Sequence, residues 1–172
     1  FTWEYFGRIH RPGSSEWDLF VYRPLIEFPN KTIAATGITE GPGILDGSLN
    51  IDTNQHMIAF SSDSGKSWDN HKTISYDSEQ KLSFREWNAL LLPNGTLLAM
   101  QQPFGDSRFN VPFEITKEQI FFSFSSDAGM TWSKLMPSPF YGRACSFVVT
   151  SHGSILFTGS PSFYPPHNPQ TA

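Results

Sequence analysis

Ser61-Ser62-Asp63-Ser64-Gly65-Lys66-Ser67-Trp68 returns, nearly unchanged, as Ser125-Ser126-Asp127-Ala128-Gly129-Met130-Thr131-Trp132. The two Asp positions differ by 127 − 63 = 64, and self-similarity at a fixed period marks stacked supersecondary units. Each octet has the chemistry of a tight turn. The carboxylate accepts nearby backbone N–H groups, and Gly two positions later takes positive φ without steric penalty. Apolar runs precede both copies (Ile58-Ala59-Phe60 and Ile120-Phe121-Phe122) and Trp closes both, which predicts a hairpin tip with the indole folded back as an anchor. Ser61, Asp63, Gly65 and Trp68, with Ser125, Asp127, Gly129 and Trp132, are therefore expected to staple the fold rather than to perform chemistry.

A second landmark keeps the same step. Leu90-Leu91-Leu92-Pro93-Asn94-Gly95-Thr96-Leu97-Leu98-Ala99 reads as two apolar strands around a Pro-Asn-Gly turn, and Leu25-Ile26-Glu27-Phe28-Pro29-Asn30-Lys31-Thr32-Ile33-Ala34-Ala35 is its earlier copy. From turn Asn to octet Asp the distance is 63 − 30 = 33 in one and 127 − 94 = 33 in the other. A third copy is Ser146-Phe147-Val148-Val149-Thr150-Ser151-His152-Gly153-Ser154-Ile155-Leu156-Phe157, whose octet at that step would begin after residue 180. Thr2-Trp3 aligns in turn with Ser67-Trp68 and Thr131-Trp132. The expectation is an internal segment of a longer repeat array.

Bulk properties narrow the class. Thirteen Gly and 13 Pro in 172 residues, with 16% charged residues, suit many turns between short strands, and helix signals are nearly absent. A net charge of −4 gives no basic footprint, so nucleic acid is not an expected partner. One Cys excludes an internal disulfide framework and leaves the compartment open. No apolar run is long enough to span a bilayer. His10, His56, His71, His152 and His167 show no metal-ligand spacing and are expected at surface or turn positions, so neither a metal nor a cofactor is implied.

Four short antiparallel strands per period point to a long propeller blade, since radial repetition protects sheet edges. The expected fold is all-β, a partial β-propeller of about two to three four-stranded blades, in a single segment 1–172. A blade remnant is assigned to 1–17, blades to 18–75 and 76–139, and a partial blade to 140–172. Residues 37–54 and 103–117 are read as long connections, 69–81 as a polar return. Further blades of the same chain would cover the apolar faces such a segment exposes.

The octet matches the pattern Ser-x-Asp-x-Gly-x-x-Trp, and with the hairpin ahead of it and the stretch Cys145-Ser146-Phe147-Val148-Val149 it resembles the Asp-box (BNR-repeat) exo-α-sialidases. The resemblance covers essentially the whole chain and implies a six-bladed propeller glycoside hydrolase acting on terminal sialic acid or a related glycan. It implies three arginines that grip a sugar carboxylate bidentately, a Tyr nucleophile made basic by a Glu, and an Asp acid and base. Glu86, nine residues before Gly95, stands where the assisting Glu would be; the alternative is a solvated strand-end charge or a partner of Arg85. Arg85 and Arg143 occupy matching places, since 143 − 85 = 58 = 153 − 95, which suits a role repeated in each blade as well as ligand contact. Arg23-Pro24 is similar to the first-blade arginine motif of the family but falls in another blade by this count. The second arginine position holds Gln102, which donates hydrogen bonds without charge, and Arg108 on the following loop is a candidate substitute. The third arginine, the Tyr and the Asp would lie outside these residues. A non-catalytic Asp-box propeller that binds a glycan or a protein is the alternative function.

Overall fold

The computed structural model describes residues 9, 19–21, 25–39, 55–75, 82–105 and 119–160. The described secondary structure is all strand: β1 (Leu19–Phe20), β2 (Ile26–Glu27), β3 (Ile33–Thr39), β4 (Gln55–Ser61), β5 (Asp69–Ser75), β6 (Leu82–Leu91), β7 (Leu97–Gly105), β8 (Gln119–Ser125), β9 (Met136–Tyr141), β10 (Arg143–Val149) and β11 (Ile155–Ser160). They form three antiparallel sheets. In the first, β3 pairs with β1 and β2 on one side and with β4 on the other, and β4 pairs with β5; the second runs β6-β7-β8-β9; the third is β10-β11. Two sheets are thus built of four successive antiparallel layers, consistent with propeller-like blades.

The same turn opens each sheet. Lys31, Gly95 and Gly153 have φ of 71°, 83° and 79°, and their N–H groups donate to the carbonyls of Phe28, Leu92 and Thr150 at 2.9 Å. A type I turn closed by one left-handed residue gives a three-residue hairpin loop. Asn30 and Asn94 fix two of these loops by accepting, at 3.1 Å, the N–H groups of Thr32 and Thr96; in the third, the Thr150 hydroxyl accepts from Ser154.

The outermost strands differ from the expectation. Residues 69–75 are β5 rather than a return, and 103–105 belong to β7 rather than to the connection. β5 is polar because it pairs on one side and leaves five of its seven side chains at least partly accessible, so the apolar alternation that marks a strand is weak there.

Strand side chains alternate between faces, so the middle sheet packs on both sides. Ile58 and Phe60 of β4, Ala34 of β3 and Phe28 meet Ala89, Leu97 and Ala99 of the second sheet, with Trp132 against them. The opposite face of the second sheet offers Met100, Ile120 and Phe122 to Phe147 and Phe157 of the third. Phe122 and Phe147 are edge-on at 5.9 Å, and Phe140 stacks on Phe157 at 4.7 Å. Each fully buried Ile, Leu or Phe contributes about 1.5–3 kcal/mol, so these two seams hold the sheets together. On the third sheet's other face Val148 and Leu156 are 54% and 53% exposed, and no described residue packs over them.

Candidate functional site

The ladders define two ends. Ile33 pairs with Ser61 and Leu97 with Ser125, so the hairpin turns and the octets share one end. Thr39 opposite Gln55, Leu82 opposite Gly105 and Arg143 opposite Ser160 mark the other.

At the octet end the carboxylates are committed to their own turns. Asp63 accepts the Ser61 hydroxyl at 2.8 Å, the Ser67 N–H at 2.8 Å and the Ser67 hydroxyl at 2.6 Å. Asp127 accepts the Ser125 hydroxyl at 2.7 Å and, from Thr131, the N–H at 2.9 Å and the hydroxyl at 2.6 Å. The Ser61 and Ser125 oxygens in turn accept Gly65 and Gly129 N–H at 2.8 Å, and each indole N–H returns to the Gly carbonyl at 3.1 Å. Hydrogen bonds that favour the charged form, chiefly from Ser67 and Thr131, hold Asp63 and Asp127 down to about 2. These are anions occupied with backbone, not poised acids. Between the two octets lies a shallow depression of about 260 Å³ lined by Phe28, Asn30, Phe60, Asp69, Asn70 and Met130 among others.

At the other end the innermost strands share an irregularity. Arg85 pairs with Gln102 and Asn88 with Met100, so Glu86 and Trp87 stand against the single residue Gln101. Arg143 pairs with Ser160 and Ser146 with Thr158, so residues 144 and 145 stand against the single residue 159. Two residues against one is a β-bulge, which breaks the ladder and re-aims side chains. Arg85 and Arg143 therefore hold equivalent ladder positions immediately before equivalent bulges, and Glu86 is the first residue of one. Arg23 and Arg108 lie outside the described residues.

The end of β7 carries two consecutive buried amides, Gln101 at 0% and Gln102 at 5% exposure. Gln101 reaches into the first seam, where its Oε1 meets His56 Nδ1 at 2.9 Å and accepts the Ser75 hydroxyl. Among the described residues its Nε2 has no hydrogen-bond partner. Gln102, one residue on, belongs to the opposite face, toward the second seam. His56 corrects the expectation of surface histidines: it is fully buried, and burial pushes it down to about 4 against the opposing hydrogen bond to Gln101. His71 is half-buried and also lowered by desolvation, while His152 sits on an exposed turn; His10 and His167 lie outside the described residues. His56, Ser75 and Gln101 were not legible as a unit because they come from three strands.

Among the described residues no three His, Cys, Asp or Glu side chains come together to hold a metal ion, and no helix is long and apolar enough to cross a membrane.

No family model matches the chain, and no curated protein matches it in sequence. Among solved structures, the chain is similar to a protein of unknown function from Dyadobacter fermentans, with a TM-score of 0.64 at 17% identity over 81% of this chain and 34% of that one. It is also similar to a Hadza microbial sialidase, with a TM-score of 0.49 at 15% identity over 66% of this chain and 24% of that one. The chain thus spans about a third and a quarter of these two proteins. At such identities the first likeness establishes a shared all-β fold.

Proposed function

We propose that the protein is a glycan-acting Asp-box propeller, a sialidase-like glycoside hydrolase whose working end is the one opposite the octets. The observation that carries the reading is the bulge at Glu86, preceded by Arg85 across from Gln102 and matched in the next sheet by the bulge after Arg143. A bulge offers a strand end two side-chain directions in place of one, which suits a carboxylate meant to act on a bound group rather than on its own ladder. Glu86 is assigned the role of assisting base, and Arg85, Gln102 and Arg143 that of ligand contacts, with Arg23 and Arg108 as further candidates. Further blades of the same chain would supply the nucleophile and the acid. The octets, by contrast, are assigned to the fold alone.

The test is release of a fluorogenic leaving group from glycosides, sialosides included, by the full-length protein and its Glu86→Gln variant. The hydrolase reading expects turnover that falls at least a hundredfold in the variant, the usual scale of acid-base assistance. Equal rates would remove Glu86 from the mechanism. Absence of turnover in the unaltered protein would favour the second reading, a non-catalytic propeller that binds glycan, for which the uncharged Gln102 is the favouring observation.

A further inference from the structure

One polar unit between the first two sheets breaks the repeat. Six residues past the left-handed turn residue, the first sheet carries Gly37 and the third Gly159, whereas the second carries Gln101. On the adjoining strands the octet step of 64 carries His56 of β4 onto Ile120 of β8. A sheet of this kind therefore forms with glycine at the one place and isoleucine at the other. Burying a polar group costs free energy unless it is hydrogen-bonded, and this pair is. Gln101, 0% exposed, accepts at Oε1 from His56 Nδ1 at 2.9 Å and from the Ser75 hydroxyl. His56 and Ser75 are ladder partners, so both reach from the first sheet to one side chain of the second. The octets recur in both of these sheets, as a staple of the fold does, whereas among the described residues this unit occurs once.

The place of Gln101 in the ladder defines what the unit acts on. It is the single residue that faces Glu86 and Trp87. An extra residue can migrate along a ladder unless the residues around it are fixed. On β6 the buried side chains of Phe84 and Asn88, 0% and 3% exposed, hold the pairs on either side, with Pro103 and with Met100. On β7 the facing residue is held through its own side chain. Glycine there would keep access to backbone conformations that a clamped glutamine gives up. Building on the assignment of Glu86 in the hydrolase reading above, we propose that Gln101 is a positioning residue for Glu86: His56 and Ser75 clamp its side chain, and the clamp fixes the bulge whose first residue is Glu86. The bulge after Arg143 faces Gly159, which has no side chain to hold.

The experiment measures kcat and KM for glycoside hydrolysis, per folded molecule of the full-length protein, in Gln101→Gly, Glu86→Gln and the double variant. Gln101→Gly restores the residue that the other two sheets carry, so the strand still forms. Its kcat should fall roughly ten- to a hundredfold, the scale of a misplaced catalytic group, with KM little changed. Ser75→Ala, which removes one oxygen and one of the two clamps, should show the same pattern at smaller amplitude. In the Glu86→Gln background Gln101→Gly should lower kcat no further, because it acts through Glu86. Asp127→Asn, which loosens the same sheet from its octet end, should leave kcat unchanged. Wild-type kcat in folded Gln101→Gly, or in Ser75→Ala should the glycine variant fail to fold, would overturn the proposal while a slow Glu86→Gln kept the hydrolase reading. An equal loss from Gln101→Gly in both backgrounds would overturn it too, by making Gln101 a general support. Full activity in Glu86→Gln, or no turnover by the unaltered protein, defeats the proposal and the reading together.

Discussion

Gly65 and Gly129 occupy the same place in two octets whose five shared hydrogen bonds agree within 0.1 Å, yet their neighbours differ. Among the described residues, a Cβ on Gly65 would find only Trp68, at 3.8 Å, whereas one on Gly129 would meet Phe60 at 2.9 Å, Leu97 at 3.2 Å and Ile58 at 3.4 Å. The second octet is wedged between the first two sheets; the first, among the described residues, meets only its own sheet. Local chemistry makes the two turns identical, and tertiary position decides how much each one matters.

The largest expected effect exploits that difference. Both glycines have positive φ, 89° and 92°, so alanine strains either by about 1–2 kcal/mol. At Gly129 overpacking against Phe60 adds about 1–3 kcal/mol. Gly129→Ala should therefore lower the urea midpoint at least twice as far as Gly65→Ala, and equal shifts would show that the second octet is no more embedded than the first.

The next contrast is between the octets and the first seam in acid. His56 is pushed down to about 4 by burial, against 6.5 when exposed, so the unfolded chain binds its proton first. The His56 contribution to stability should be full above pH 6.5, fall as the pH drops through that range and reach its floor below 4. In His56→Gln that slope should flatten; a slope that persists places the titrating group elsewhere. The octet aspartates act lower. Their stabilisation is present above the ordinary value of 3.8 and is lost as pH falls toward about 2. Asp63→Asn and Asp127→Asn should each remove that residue's share of the lower limb, and the double variant all of it, with the His56 limb intact, as thermal melts across pH would reveal.

The octets and hairpin turns were legible because their bonds join residues two to four apart, so Ser, Asp, Gly and Asn announce the geometry by their order. The contact among His56, Ser75 and Gln101 was not, because its members are 45 and 26 residues from Gln101 and no local pattern links them. The bulges at Glu86 and after Arg143 fall between these cases. Equal spacing from the turn glycines gave the match of Arg85 with Arg143, but an extra residue on one strand is defined only by its partner.

The central claim assigns architecture to one end of the sheets and chemistry to the other. The most direct test is turnover per folded molecule of the full-length protein, measured side by side for Asp63→Asn and Glu86→Gln. Asp63→Asn should melt earlier and keep the wild-type rate, while Glu86→Gln should keep its stability and lose the rate. Loss of turnover in a folded Asp63→Asn variant, with Glu86→Gln fully active, would contradict the account.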